Sequence, residues 1–485
     1  MAEKEITKED KLDRFQQDFA STMSDTAGSY RSDIVNISST NTSTIENLFQ
    51  APETNYSQIA SYMTALYKKN GIIGGTVKYY QSHPTYNFSI YPTMNVKSGY
   101  EMSTEISEYI EVANHIEQFN IKYYAPYFLK ETLLNGVSYF YKIQDSKGVS
   151  FMKFPPSFCR VYEMNTGVFR WELDMSKIPA GVLTLPSEIT KAKEQHVAGS
   201  TDDIKKWTDG KWYKLSDKAV AFALDQSVLE YGTSVSELAT VILDSLQVEK
   251  AKVNIDIKET IDTVRILHSE IPTDKDGKPL MSGKTAKIYD TQLKRALPKG
   301  IVGVTSPMKL TNVPMNNAGN TKVYETVDKA QDQLFLSTGT PSNLFGSDTT
   351  SSNIVKLSVQ KDANWIYTKV FPMLENFYNY ELSKFKAVSG MTWKMKFVRQ
   401  SNFTIKDDVA IAEKQLTLGG SRLEFLASTG LSPVEVYGRL LMEQKMLNID
   451  TFMIPKQTSF TMGSETGRPS TDNPTDDTDR INDAM

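Results

Sequence analysis

The sequence is short of the residues that do covalent and metal chemistry: one cysteine and four histidines stand in 485 residues. A lone Cys159 forms no intrachain disulfide and favours a reducing compartment. It lies in Phe154-Pro-Pro-Ser-Phe-Cys-Arg-Val-Tyr162, a turn entering a strand, and reads as a small buried hydrophobe. His83, His115, His196 and His268 stand far apart in unrelated contexts. His115-Ile-Glu117 has no second histidine four residues away, so it is not a zinc-protease pattern. A nucleophile elbow, a Cys-x-x-Cys pair and a complete phosphate-binding loop are also missing. Gly71-Ile-Ile-Gly-Gly75 lacks the Lys-Ser/Thr of that loop and the full dinucleotide fingerprint, and reads as a turn. Asp407-Asp408 reads as charge at a helix N-terminus rather than as metal ligands. The expectation is a protein without catalytic, cofactor-binding or metal residues, and not an enzyme. An enzyme would need a composite active site invisible as a linear motif.

Long apolar runs are absent as well, so no membrane span is expected. Met1-Ala-Glu-Lys-Glu-Ile-Thr-Lys-Glu-Asp10 is too charged to open a secretory signal, which points to a soluble product of a cytoplasm. Nor is there a basic surplus. A formal charge of −4 argues against tight wrapping of duplex DNA, yet is compatible with a channel through which DNA slides without sticking. What the chain has in quantity is aromatic residues, 24 Tyr and 22 Phe, which suit cores and large subunit interfaces alike.

Periodicity divides the chain. A first helix is expected over Asp10–Met23, then helices over Tyr56–Lys69, Thr104–Gln118 and Ile121–Asn135. Val137–Lys142 and Val149–Phe154 flank Asp145-Ser-Lys-Gly148 as a hairpin, and Phe158–Met164 and Gly167–Leu173 continue the strands. Trp207–Lys214 and Lys218–Leu224 add short β pieces. Gly232–Gln247 reads as a helix with Leu238, Val241, Ile242 and Leu246 on one face. Val248–Leu267 is a charged helix whose narrow apolar stripe suits either packing against copies of itself in a ring or an ordinary surface helix. Residues 273–300 hold seven Lys/Arg against three acids, a local net of +4. They read either as a solvated loop or as a surface that meets phosphate weakly. Met281–Leu297 is expected to be partly helical, with a strand after Lys299 and a helix over Lys322–Leu336.

The most informative stretch follows. Leu334-Phe-Leu-Ser-Thr-Gly-Thr-Pro-Ser-Asn-Leu-Phe-Gly346 runs from an apolar helix end into a Gly/Pro/Ser loop, before a long helix over Asn353–Leu382 that Pro372 should kink. It holds neither a nucleophile–base pair nor metal ligands, so its role reads as mechanical. Thr392–Arg399 is a strand; Lys406–Leu418, Ser421–Ser428 and Pro433–Met446 are helices, the last capped by Ser432. From Pro455 onward the composition predicts disorder.

This order resembles the portal proteins of tailed double-stranded DNA bacteriophages. The resemblance is carried by Leu336-Ser-Thr-Gly-Thr-Pro-Ser-Asn-Leu-Phe-Gly346, Ser351-Ser-Asn353 and the helix holding Pro372-Met-Leu-Glu375. Tyr139-Phe-Tyr141 with Asp145–Gly148, and Leu297-Pro-Lys-Gly-Ile301 leading to Ser306-Pro307, support it. It covers roughly residues 50–450. The resemblance implies an elongated α+β portal fold: an N-terminal arm and first helix (1–50), an α+β wing (51–233) and a first stem helical region (234–270). After these come a small α/β clip (271–317), a second stem helix (318–336) and a tunnel loop (337–352). A long kinked helix (353–385), a wing strand (386–402), a short helical crown (403–450) and a disordered polar tail (451–485) complete it. It also implies a ring, generally of twelve copies, at the unique capsid vertex of a virion assembled in the host cytoplasm. The ring would pass DNA for packaging and ejection. Its partners would be further copies of itself, double-stranded DNA, the large terminase subunit that supplies power, a head–tail adaptor, and the major capsid and scaffolding proteins, with no membrane. Gly339, Pro341, Ser342, Asn343, Gly346, Ser347, Thr349, Thr350 and Ser351 would form the loop facing DNA. Lys284, Lys287, Lys294, Arg295 and Lys299 would be clip-side contacts. The structural rival is another ring-forming head–tail connector or virion protein.

Overall fold

The computed structural model describes residues 42–93, 102–145, 148–178, 185–263, 265–275, 280–296, 301–306, 320–339, 352–385 and 391–448. The helix expected over Asp10–Met23 and the tail from Pro455 lie outside them.

Helix α1 (Thr42–Leu48) leads into α2 (Pro52–Lys69), which opens on a proline whose missing N–H would have had no helical partner. Asn70 then ends α2 and starts α3 (Gly71–Ser82). Its backbone is extended, and its side chain accepts from the N–H groups of Ile72 and Ile73 at 2.9 and 3.4 Å. Gly71–Gly75 is therefore the first turn of a helix, not the turn expected from its glycines. Gly74 serves close packing: a Cβ on it would stand 2.9 Å from the Tyr67 carbonyl oxygen.

Strand β1 (Phe88–Thr93) precedes α4 (Met102–Glu117) and α5 (Ile121–Asn135). The chain then builds β2 (Val137–Gln144), β3 (Val149–Phe154), β4 (Cys159–Asn165) and β5 (Val168–Asp174). These are the predicted hairpins, displaced by a residue or two. Helix α6 (Ser187–Val197), β6 (Trp207–Thr208), β7 (Trp212–Lys214) and β8 (Ala219–Ala223) complete a seven-stranded antiparallel sheet. Its order is β3-β2-β8-β5-β7-β6, with β4 on β5.

Both faces of this sheet are buried, and the period of two decides which core each side chain joins. Tyr139, Tyr141, Ala219, Ala221, Trp171 and Leu173 point to one side with Cys159. Phe140, Val220, Phe222 and Val168 point to the other, under α5. There Phe128 lies 4.5 Å from Phe222, 4.7 Å from Phe140 and 4.9 Å from Phe151, ring centre to ring centre. Such ring pairs each add about 0.5–1.5 kcal/mol beyond their buried area. Cys159 is fully buried, and burial raises its thiol well above the ordinary range, which leaves it unreactive.

After the short α7 (Val228–Tyr231), α8 runs from Val241 to Thr263 as one helix. It starts later than expected and stops before Leu267, which falls in β9 (Arg265–Glu270). Leu238, Val241, Ile242 and Leu246 are all buried, as their spacing predicted. Helix α9 (Gly283–Ala296) connects β9 to β10 (Ile301–Ser306), and the two strands pair in parallel from Arg265↔Ile301 to Glu270↔Ser306. Parallel neighbours need such a crossover. Helix α10 (Asn320–Thr338) returns alongside α8.

The long helix follows as α11 (Ser352–Trp365), a π turn (Ile366–Val370) and α12 (Phe371–Ser383). The interruption predicted at Pro372 thus takes the form of a wider turn just before it. Proline offers no N–H, and its ring crowds the carbonyl four residues back, so the wider turn gives it room. Strand β11 (Thr392–Phe397) pairs antiparallel with β1, Phe88 opposite Phe397 and Thr93 opposite Thr392. Helices α13 (Ile405–Thr417), α14 (Arg422–Ser428) and α15 (Pro433–Leu441) close the described chain. Asp407 and Asp408 sit in the first turn of α13, and Ser432 with Glu435 makes a full capping box on α15. The fold is mixed α and β with open sheets.

Candidate functional site

The helix pair α8–α10 is rooted in the body and carries the β9-α9-β10 unit beyond it. Val241, Ile242 and Leu246 at the start of α8 are buried, as are Leu334 and Thr338 at the end of α10. The Ser337 hydroxyl donates to the Asp244 carboxylate, so the two rooted ends face each other and the helices are antiparallel. The same polar strip continues in Asn70, whose amide donates to Ser245 Oγ at 3.0 Å. On α9, Lys284, Lys287 and Arg295 are exposed. At about 100° per residue they fall with Lys294 within roughly 100° of arc, one basic helix face.

Helices α10 and α11 both pack on α3. Helix α10 ends at Gly339, whose positive φ of 69° and N–H to the Leu336 carbonyl (3.1 Å) make a left-handed cap. A Cβ there would come within 3.9 Å of the Tyr80 hydroxyl, and the Tyr80 ring lies 5.2 Å from that of Trp365 on α11. One turn along, the buried Tyr79 hydroxyl donates to Asp362 Oδ2 at 2.9 Å. Burial raises the Asp362 carboxyl above its usual range, against the lowering effect of that bond. His83, wholly buried, reaches the Val359 carbonyl with Nε2 at 3.2 Å and Ser401 Oγ with Nδ1 at 3.1 Å. A carbonyl only accepts, so Nε2 carries the proton and Nδ1 accepts from the serine. That is the neutral imidazole, in keeping with burial lowering its pKa.

The far end of the long helix is fixed to the sheet by charge. Glu381 on α12, 2% exposed, meets the Lys142 ammonium of β2 in a buried ion pair. Lys384 Nζ lies 3.0 Å from the same carboxylate and 2.6 Å from Asp217. The Asp217 carboxyl is held below its ordinary range, chiefly by its hydrogen bond with Lys384. Burial lowers the Lys142 pKa against the opposing pull of Glu381. The same helix covers the outer edge of β11. The Asn379 side chain accepts from the Met395 N–H (2.8 Å) and donates to its carbonyl (3.1 Å), while Glu375 accepts from the Phe397 N–H (2.8 Å).

No family model matches this chain, and none of the curated proteins matches it. Among solved structures, a chain of "Virion of native gene transfer agent (GTA) particle" is similar at 12% identity and a TM-score of 0.37, over 72% of this chain and 86% of that one. A chain of "Neck of empty GTA particle computed with C6 symmetry" is similar at 12% identity and a TM-score of 0.41, over 74% and 90%. Both likenesses are loose.

Of the residues singled out in the sequence, Gly339 is the helix cap just described. Helix α10 runs to Thr338, two residues into the span 337–352 read as loop. Pro341, Ser342, Asn343, Gly346, Ser347, Thr349, Thr350 and Ser351 lie outside the described residues, as does Lys299. Lys284, Lys287, Lys294 and Arg295 share α9, and Pro372 follows the π turn. The structure brings Gly339 onto Tyr80; it brings no basic residue of α9 to that place. What sequence reasoning missed is the seat itself: Tyr79, Tyr80 and His83, with Asp362 and Trp365. The signal was present in Asn70, a capping residue immediately before the glycines. Among the described residues no group of three or more His, Cys, Asp or Glu is placed to hold a metal ion, and no helix is long and apolar enough to cross a membrane.

Proposed function

We propose that this chain is a structural subunit of a virion, a ring-forming head–tail connector, and more specifically the portal ring of a tailed phage. The observation that carries the proposal is the antiparallel pair α8–α10 bearing a small parallel β9-α9-β10 unit, with α10 and the long interrupted helix both packed on α3. In this reading the α8–α10 pair is the stem, β9-α9-β10 the clip and residues 339–351 the tunnel loop. The seven-stranded sheet, its helices and the β1–β11 ribbon make the wing, and α13–α15 the crown.

The geometry supports a mechanical part. A loop that meets moving DNA needs roots that do not yield, and α3 supplies them through Tyr79–Asp362, His83–Val359 and the Tyr80–Trp365 contact. The loop's own Ser, Thr and Asn residues offer polar, uncharged contacts that exchange easily. The basic face of α9 would meet DNA or an adaptor with salt-sensitive strength. Twelve copies would form the bore, the large terminase subunit would drive DNA through it, and the adaptor would dock on the clip side.

Negative-stain images of the purified protein test this. Closed rings with a central channel, near twelve-fold in end-on averages, are expected. A compact monomer or dimer at every salt concentration would overturn it.

A further inference from the structure

The two-stranded ribbon β1–β11 buries one face and leaves the other to solvent. Phe88, Ile90, Trp393, Met395 and Phe397 are buried, while the alternate positions Lys394 and Lys396 are exposed, as is Arg399 just past the strand. Opposite them stand Tyr91 and Ser89, so the outer face of the ribbon carries no acid. Among the described residues none of the three cations makes an ion pair. Glu375, whose carboxylate feels both Lys396 and Arg399, accepts from the Phe397 N–H. Arg399 and Lys396 also line a cleft of about 350 Å³ with Phe397, Ile411 and Ala412. Two acids, Asp408 and Glu424, line the same cleft, and Asp408 accepts from the Thr404 hydroxyl at 2.7 Å.

The rest of the chain supplies a counter-charge. Residues 472–483 contain Asp472, Asp476, Asp477, Asp479 and Asp483 against Arg480 alone, a net charge of −4. We propose that this acidic segment docks on the Lys394–Lys396–Arg399 face of its own subunit. Two observations favour it. The charges are opposite, and the three cations make no ion pair among the described residues. The length is sufficient: helix α15, which leads to the last described residue, packs on β1, and the residues from Asn448 to Asp472 can span up to about 80 Å.

A tether of this length presents the segment at an effective concentration on the order of millimolar, so weak contacts suffice. Duplex DNA is the weaker candidate for the same face. Three cations neutralise about three phosphates, too few for firm binding at physiological salt. The docked segment would screen these cations from other polyanions until a stronger one displaces it.

Zero-length carbodiimide cross-linking of the full chain, read by peptide mass spectrometry, is the experiment. Mixing light and heavy-isotope protein before assembly separates links within a subunit from links between subunits. Links from Lys394 or Lys396 to Asp472–Asp483 are expected within one isotope form at about 20 mM salt. They should fall several-fold by about 0.5 M salt, where the screening length shrinks to a few ångströms. As a second reading, a chain ending at residue 470 should acylate at Lys394 and Lys396 at least ~3-fold faster than the full chain, with Lys284 unchanged. No such links, with both lysines equally reactive in the two chains, would overturn the proposal. So would links found only between isotope forms, which would make the occupant a neighbour's tail. Equal protection of both chains by added duplex DNA would assign the face to nucleic acid instead.

Discussion

Replacing Glu381 with leucine tests whether the long helix is held to the sheet by the buried charge network. The change removes a carboxylate that is 2% exposed and leaves the Lys142 ammonium, whose side chain is 7% exposed, without its partner. An uncompensated buried charge costs about 3–5 kcal/mol. If the sheet and its helices, roughly 250 residues, unfold as a unit, each kcal/mol moves the midpoint by about 2 °C, so Glu381→Leu should melt about 6–10 °C lower. The double variant Lys142→Met/Glu381→Leu should recover most of that loss, because two apolar chains of similar volume carry no desolvation penalty. Differential scanning calorimetry on the three proteins at one protein concentration gives both numbers. A shift under about 1 °C for the single change would refute the reasoning. So would a double variant no more stable than the single one, since the loss would then be one of packing rather than of unpaired charge.

Two further outcomes are expected. Burial lowers the pKa of His83, so the unfolded chain takes up a proton that the folded chain refuses as the pH falls below about 6.5. That contribution is present above the unfolded value and is lost toward the lowered one. Melting of His83→Gln should therefore depend less on pH between 7 and 5.5 than that of the parent, by up to roughly 1 kcal/mol; parallel curves would show that His83 does not titrate there. On α9, Lys284→Glu/Lys287→Glu/Arg295→Glu changes only exposed side chains and should move the melting midpoint by about 3 °C or less. Under the proposed portal role, rings should still form, while DNA filling of particles in a complementation assay drops at least ~10-fold; normal filling would remove α9 from any role in DNA or adaptor contact.

Much of the architecture was readable from local pattern. The hairpins on either side of Asp145–Gly148 and Asn165–Gly167 follow from aromatic and β-branched runs around strong turn residues, and α15 from its Ser432–Glu435 box. The pairing of β1 with β11 was not readable, because about 300 residues separate Phe88 from Phe397 and no local signal spans that distance. Helix α3 was hidden for a different reason. Gly71, Gly74 and Gly75 have poor intrinsic helix propensity, and the Asn70 cap with the burial of Ile73, Val77, Tyr79 and Tyr80 overrides it. The loop roots therefore went unseen with it, since Tyr79, Tyr80 and His83 acquire meaning only once they share a helix facing α11. The ion pair Lys142–Glu381 joins residues that look like surface charges until strand and helix are brought together.

The way α12 closes the edge of β11 bears on assembly fidelity. An open strand edge invites any other strand to add to it. Here Asn379 and Glu375 occupy the Met395 and Phe397 backbone groups with helical side chains, so the ribbon stops at two strands on that side. In the ring proposed above, a subunit standing beside copies of itself would face a constant risk of strand exchange between neighbours. Terminating the ribbon with side chains from within the same subunit removes β11 from that risk, and leaves neighbour contacts to be chosen by surfaces rather than by unsatisfied backbone.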